Sequence, residues 1–256
     1  MPAAARSFRV EAIVLRHSDW GEADRLLVLY TREIGKVRAI AKGVRKMHSR
    51  KSGHLEPFTH ARLLLARGRD LLIVTQAETA EAYLPIRDNL LLTGYAAYAV
   101  ELVDRFSYEE GENRAIFQLL ANTLARIATD PMPVLALRYY EIRLLDLLGF
   151  RPELFQCVNC REEILPRDQY FSLDQGGVLC PNCGGNFSGA RPISMKVLKY
   201  LRHYQRSSYS EAMRAHPTQS ELYEMESLLQ GYLTQLLERK LNTPSFLREI
   251  RGHYPE

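Results

Sequence analysis

Two hydrophobic periodicities divide the chain. Between residues 8 and 79 apolar positions come in short runs separated by turn residues; beyond Leu84 they recur every three or four positions. In the first part Phe8 to Leu15, Arg25 to Thr31, Lys36 to Lys42, Ala61 to Ala66 and Leu71 to Gln76 read as strands. The third alternates most cleanly. Val37, Ala39 and Ala41 point one way, and Lys36, Arg38, Ile40 and Lys42 the other. Arg67-Gly68-Arg69-Asp70 joins the last two strands as a hairpin.

The second part predicts helices over Asn89 to Phe106, Arg114 to Thr129 and Val134 to Leu148. Asp130-Pro131-Met132-Pro133 ends the second of these, and Gly149 stops the third. Ser194 can cap a helix through about Arg206, and Thr218-Gln-Ser-Glu221 is a capping box opening a helix to about Lys240. Leu135, Leu144, Leu145, Leu147 and Leu148 read as core, as do Tyr139 and Tyr140. The expected fold is multidomain β plus α. A five-stranded barrel of the oligonucleotide-binding (OB) type over 1–82 precedes a helical domain over 83–256, interrupted by a cysteine module at 151–190.

Charge sharpens this picture. Residues 1–83 carry 15 Lys/Arg against 9 Asp/Glu, whereas the remainder carries 19 against 21, so the basic character belongs to the first third. Lys36, Arg38, Lys42, Arg45, Lys46, Arg50 and Lys51 fall in one run, Ile34 to Leu55, that contains no acid. A field of one sign with nothing local to neutralise it suits a polyanion. Lys36, Arg38 and Lys42 would share one face of extended strand over roughly 20 Å. Single-strand binders add aromatic rings on which bases stack. Trp20, the single tryptophan, stands in a polar turn between the first two strands and is the candidate. Tyr30 reads as core. Whether Arg9, Arg16 and Arg25 join this face is open.

Four cysteines fall within 27 residues. Cys157-Val-Asn-Cys160 and Cys180-Pro-Asn-Cys183 have 19 residues between them, the two-knuckle spacing of a four-cysteine zinc site. Four thiolates fill a tetrahedron and leave no position for water, so one structural Zn²⁺ is expected and no metal catalysis. Gly184-Gly185 is expected to permit the tight turn after the second pair, and Tyr170, Phe171 and Leu173 to form a small strand and core.

No catalytic set is recognisable: there is no phosphate-binding G-x-x-x-x-G-K-[ST], no H-E-x-x-H and no G-x-S-x-G. Asp19, Glu22 and Asp24 are a candidate Mg²⁺ cluster, with pairing of Glu22 and Asp24 to arginines such as Arg25 the plainer use. No run approaches the ~20 apolar residues of a membrane helix, and residues 1–6 do not read as a secretory signal. A cytoplasmic protein is expected.

The segments E-A-I-V-L-R (11–16), G-E-A-D-R-L-L (21–27), E-I-G-K-V (33–37), A-K-G-V-R (41–45), L-E-P-F-T (55–59) and Q-A-E (76–78) together resemble the RecO family of bacterial recombination mediators. The resemblance continues through the helices and the cysteines. It implies an N-terminal OB barrel, a helical domain and a zinc module. It also implies a nucleoid-associated, non-enzymatic role in DNA repair and recombination. Such a protein binds single- and double-stranded DNA and anneals complementary strands. It works with RecR and with the C-terminal tail of single-stranded-DNA-binding protein to load recombinase. The alternative from charge alone is an adaptor whose basic barrel binds acidic protein segments. A zinc-dependent enzyme acting on nucleic acid is a third reading, weakened by the all-thiolate site.

Overall fold

Alternation along the first five strands closes them on themselves. In the computed structural model, which describes residues 7–108, 111 and 113–253, these strands are β1 (Ser7–Trp20), β2 (Asp24–Thr31), β3 (Gly35–Ala41), β4 (His60–Arg67) and β5 (Leu72–Glu81). Residues 1–6, where the sequence shows no secretory pattern, lie outside the described residues. The strands form a closed barrel in the order β1-β2-β3-β5-β4. All neighbours are antiparallel except β3 and β5, which pair in parallel only at Ala39↔Leu72 and Ile40↔Ile73. The inward positions include Val10, Ala12, Val14, Leu27, Leu29, Val37, Ala39, Ala41, Leu63, Leu65 and Val74, with Val44 and Leu55 joining the same core from the loop after β3. Each fully buried Leu or Val contributes about 1.5–3 kcal/mol, so the barrel's register is fixed by its interior: a one-residue slip would turn the inward set out.

Strand β1 runs to Trp20, five residues past the expected end at Leu15. Its polar tail keeps the ladder, with Ser18 opposite Leu26 and Trp20 opposite Asp24. Polarity alone predicts a loop here; pairing to β2 holds the segment extended instead.

The outward side of β1 and β2 is also partly buried. Ile13, Leu15, Val28 and Tyr30 are at most 3% exposed, although they lie outside the barrel core. After α1 (Leu84–Asp88), helix α2 (Leu90–Phe106) packs on β1, and Asn89 caps it by accepting from the Leu91 and Leu92 amides. Helix α3 (Arg114–Thr129) spans the expected residues and is capped by Asn113. The chain forms two compact units. One runs up to Pro133 and takes in the segment from Ser245; the other is Val134–Pro244. The first therefore contains the barrel, α1 to α3 and a C-terminal helix whose Leu247 and Ile250 are buried.

The second unit holds α4 (Pro133–Leu147) nearly whole, β6 (Gln169–Ser172), β7 (Gly177–Leu179), the short α5 (Pro181–Gly184) and β8 (Arg191–Ile193). Then follow α6 (Met195–Arg206), α7 (Tyr209–Ala212) and α8 (Gln219–Leu237), and α9 (Thr243–His253) is the C-terminal helix of the first unit. The Ser194 cap and the Thr218–Glu221 capping box form as the sequence predicts. Tyr139 and Tyr140 are buried. Helix α4 also buries Arg138 and Glu141 completely, as an ion pair of 3.3 Å.

One charge contact ties α2 to the barrel. Lys36 Nζ lies 2.8 Å from Asp104 Oδ1 and donates to the carbonyl of Ser107 at 3.2 Å; both side chains of the pair are about one-sixth exposed, at 16% and 17%. Arg16 Nε adds a second bond to Asp104 at 2.9 Å. Burial pushes the Asp104 carboxyl up, but the hydrogen bonds and charges of Lys36 and Arg16 outweigh it and hold the group below its ordinary 3.8. A lowered folded value stabilises above the unfolded pKa, and the gain is lost as pH falls through the folded one. Lys36→Met should therefore cost about 2 kcal/mol at pH 7, with a smaller penalty below about pH 4. Urea unfolding at both pH values measures this; an equal penalty at both would contradict the assignment.

Candidate nucleic-acid interface and metal centre

The outward side of β3 alternates as the sequence predicts. Val37, Ala39 and Ala41 are buried, Arg38 and Lys42 are exposed, and Lys36 and Ile40 are half-buried. The loop that follows is fastened to the β1–β2 turn by its backbone. The Gly43 amide donates to Asp24 Oδ1 at 2.7 Å and the Arg45 amide to the Ala23 carbonyl at 2.9 Å. Gly43 sits at φ +64°, where a side chain is strained. The cations of this loop are thus carried by a fixed frame.

The seven expected cations separate into two groups. Arg38, Lys42, Arg45, Lys46 and Arg50 are exposed. Of these, Arg45 pairs with Asp19 at 3.3 Å and donates to the Gly21 carbonyl, while Lys42, Lys46 and Arg50 carry no ion pair among the described residues. Lys36 is taken up by Asp104. Lys51 turns inward, donating to the Val74 carbonyl at 3.1 Å, and burial lowers its pKa although Asp24 partly opposes this. Neither signal is local: the partners lie 68 and 23 residues away along the chain.

The open arginines resolve separately. Arg9 is exposed on β1 opposite Leu64. Arg16 serves Asp104, and Arg25 donates to Glu56 at 2.8 Å. Trp20 stands at the end of β1, 49% exposed. It lies on the ladder in phase with Arg16 and Ser18, opposite Asp24.

Two further cations join the set. A cleft of about 320 Å³ is lined by Lys36, Val37 and Arg38 on one side and by Arg67, Gly68, Arg69 and Asp70 on the other. Arg67 and Arg69 are exposed. In the sequence this tetrapeptide reads only as a turn. The loop between strands four and five of an OB barrel is itself a usual binding element, and that was the available signal.

Two of the three acids serve the fold, while Glu22 is exposed and the arginine pairing expected of it is not seen among the described residues. Asp19 pairs with Arg45 at 3.3 Å and lies 4.0 Å from Arg25; Asp24 accepts the Gly43 amide in place of the expected arginine.

In the cysteine module, Cys157, Cys160, Cys180 and Cys183 bring their sulfurs within 4.8 Å of one another. Cys180 caps α5, so Cys183 folds back one turn later. The Cys180 amide donates to Cys157 Sγ at 3.3 Å, and Asn159 Nδ2 to Cys183 Sγ at 3.3 Å. Burial pushes the Cys157 thiol up, but the amides of Cys160, Cys180 and Asn159 outweigh it and bring it to about 6. The Glu162 amide lowers Cys160, yet Cys157 and the other thiols raise it to about 12. One thiolate is favoured there unaided; four at this spacing require a cation among them, which is the chemistry of a closed tetrathiolate site. The glycine pair has a different use from the expected turn. Gly185 has an ordinary helical φ of −61°. A side chain at Gly184 would collide with the Tyr170 ring, so close packing against β6 requires that glycine. Phe171 is buried on the same strand.

No helix among the described residues is long and apolar enough to cross a membrane. Two family profiles match the chain. The family profile described as Recombination protein O N terminal matches residues 6–83, and that of Recombination protein O C terminal matches 87–244. A "DNA repair protein RecO" from Roseiflexus sp. (strain RS-1) is 42% identical over 246 residues, 96% of this chain and 87% of the relative. One from Dehalococcoides mccartyi (strain ATCC BAA-2100) is 38% identical over 95% of this chain and 96% of its own. One from Symbiobacterium thermophilum is 34% identical over 96% and 98%. With both profiles matched in order across the barrel and the helical region, the chain belongs to the RecO family.

Proposed function

We propose that the chain acts in DNA repair and recombination as a non-catalytic holder of DNA strands. The observation that carries this reading is the exposed set of cations on one barrel: Lys42, Lys46 and Arg50 on a fastened, acid-free loop, with Arg38, Arg67 and Arg69 around the adjoining cleft, which Asp70 also lines. Cations so mounted attract phosphates of any sequence. Trp20 offers a ring on which a base can stack. A strand gripped by its backbone keeps its bases available, and its neutralised charge repels a complementary strand less. Binding of single- and double-stranded DNA and annealing follow from that arrangement. Lys36 and Lys51 are left out of the proposed contact set because their ammonium groups are already engaged. Cooperation with RecR and with the tail of single-stranded-DNA-binding protein in loading recombinase is the part of the proposal that rests on family membership. So does association with the nucleoid.

The four cysteines are proposed to hold one structural Zn²⁺, which would join the two knuckles around β6 and β7 without touching the reaction. Metal analysis should find one zinc per chain and none after Cys157→Ser with Cys183→Ser. Chelation should lower the melting temperature by on the order of 5 °C or more and leave DNA affinity at 20 °C within about twofold. A parallel loss of affinity in protein that is still folded would reject the structural role.

About four phosphate contacts to a single strand give a log–log salt slope near −3. Replacing Lys42, Lys46 and Arg50 together by Ala should make the slope shallower by about 2 and weaken binding to every sequence alike. Fluorescence anisotropy with labelled oligothymidylate from 50 to 300 mM salt reads this directly. An unchanged slope, or preferential capture of a polyglutamate peptide over the oligonucleotide, would favour the acidic-partner alternative.

A further inference from the structure

A second acid-free run lies later in the sequence. From Gln175 to Ser210 the chain has no Asp or Glu over 36 residues, although this half of the sequence is net acidic. The run includes α6, whose charged residues are Lys196, Lys199, Arg202 and Arg206, with His203 among them. The two ends of the helix differ. At its start Lys196 is met by Glu221 at 3.4 Å, while Asp168 and Glu224 accept the amides of Met195 and Ser194. These carboxylates sit where a helix favours them.

The later turns carry Lys199, Arg202 and Arg206, three and four residues apart and so on one face. They extend over about 10 Å of helix axis. Arg202 bonds the Leu154 carbonyl with both Nε, at 2.8 Å, and Nη2, at 2.6 Å. Arg206 lies 3.7 Å over the Phe155 ring, and Arg202 4.9 Å from the same ring. Two guanidinium groups thus share one aromatic ring, a like-charge pairing that destabilises a helix unless an anion joins it. The charged groups facing them from other elements do not cancel this. Glu153 holds the amides of Phe155 and Gln156 at 2.7 and 3.1 Å. Glu163 is exposed on its own loop. His203 is committed to Ser207 and to the Glu211 carbonyl.

We infer that this face of α6 is a second strand-holding surface, taking the phosphates of single-stranded nucleic acid at Lys199 and Arg206, while Arg202 is held by the Leu154 carbonyl. The inference rests on the strand-holder reading and supplies what annealing by one molecule needs, a place for the second strand. The stacked pair selects nucleic acid over an acidic peptide. The guanidinium of the exposed Arg206, 3.7 Å over the Phe155 ring, adds a cation–π surface on which a base can stack. A carboxylate is met best by the edge of the guanidinium fork.

The test uses the full, metal-loaded chain in four forms. These are the wild type; the barrel variant Lys42→Ala, Lys46→Ala, Arg50→Ala; the helix variant Lys199→Ala, Arg206→Ala; and the combination of the two. Thermal melts check that each is folded, and Arg206→Lys serves as a second helix variant that keeps charge but loses the flat stack. The helix variant should keep first-strand affinity within about twofold of wild type and anneal complementary oligonucleotides on the order of tenfold more slowly. The barrel variant should retain weak oligonucleotide binding, which disappears in the combined variant. Arg206→Lys should recover part of the annealing rate. Annealing at the wild-type rate in the helix variant would overturn the inference. So would residual binding that is equal in the barrel and combined variants. Wild-type first-strand affinity in the barrel variant would instead overturn the barrel reading, and the helix variant's annealing rate would still report on α6 alone.

Discussion

The interior of a small barrel has room for one set of side chains, and this constraint governs what β3 can show to solvent. Val37, Ala39 and Ala41 fill the inside, so Arg38 and Lys42 are held outside by a backbone that cannot rotate without emptying the core. Positioning of charge here is a by-product of hydrophobic burial. The loop after β3 repeats the logic. Val44 and Leu55 enter the barrel core, the Gly43 and Arg45 amides are fastened to the β1–β2 turn, and the cations between them remain exposed on a frame already fixed. Ordering such side chains in advance reduces the entropy lost when a flexible strand binds.

Burial also decides which cations are excluded. Helix α2 covers part of the outer face of β1 and β2, and at that edge Lys36 is enclosed with Asp104. Lys36 and Arg38 are two residues apart on the same side of one strand, yet one joins the fold and the other faces solvent. An interface read from sequence spacing alone merges them. The same division recurs on α6, where Lys196 is matched by Glu221 while Lys199 and Arg206 stand on the exposed later turns.

What was legible in the sequence was what short-range rules govern. The strand interiors follow alternation, and the caps at Ser194 and Thr218 follow from residue type and a three-residue spacing. The sulfurs of two C-x-x-C pairs converge as their spacing requires. What was hidden depended on partners distant in the chain. Ser18 and Asp19 look like loop until β2 pairs with them. Lys51 looks solvated until Val74 accepts from it. Gly184 looks like a turn glycine until Tyr170 packs against it. Arg67 and Arg69 are hidden for another reason: the cleft they line has β3 as its other wall, and a hairpin read in isolation has no opposite wall.

The central claim is that a fixed set of barrel cations touches the nucleic-acid backbone while the lysines enclosed by the fold do not. Lysine-specific acylation read by mass spectrometry, with and without saturating oligothymidylate, tests it at individual residues. Lys42 and Lys46 should react readily in the free protein and be protected on binding, and Lys36 should react slowly in both states. Protection that leaves Lys42 and Lys46 as reactive as in the free protein would contradict the account.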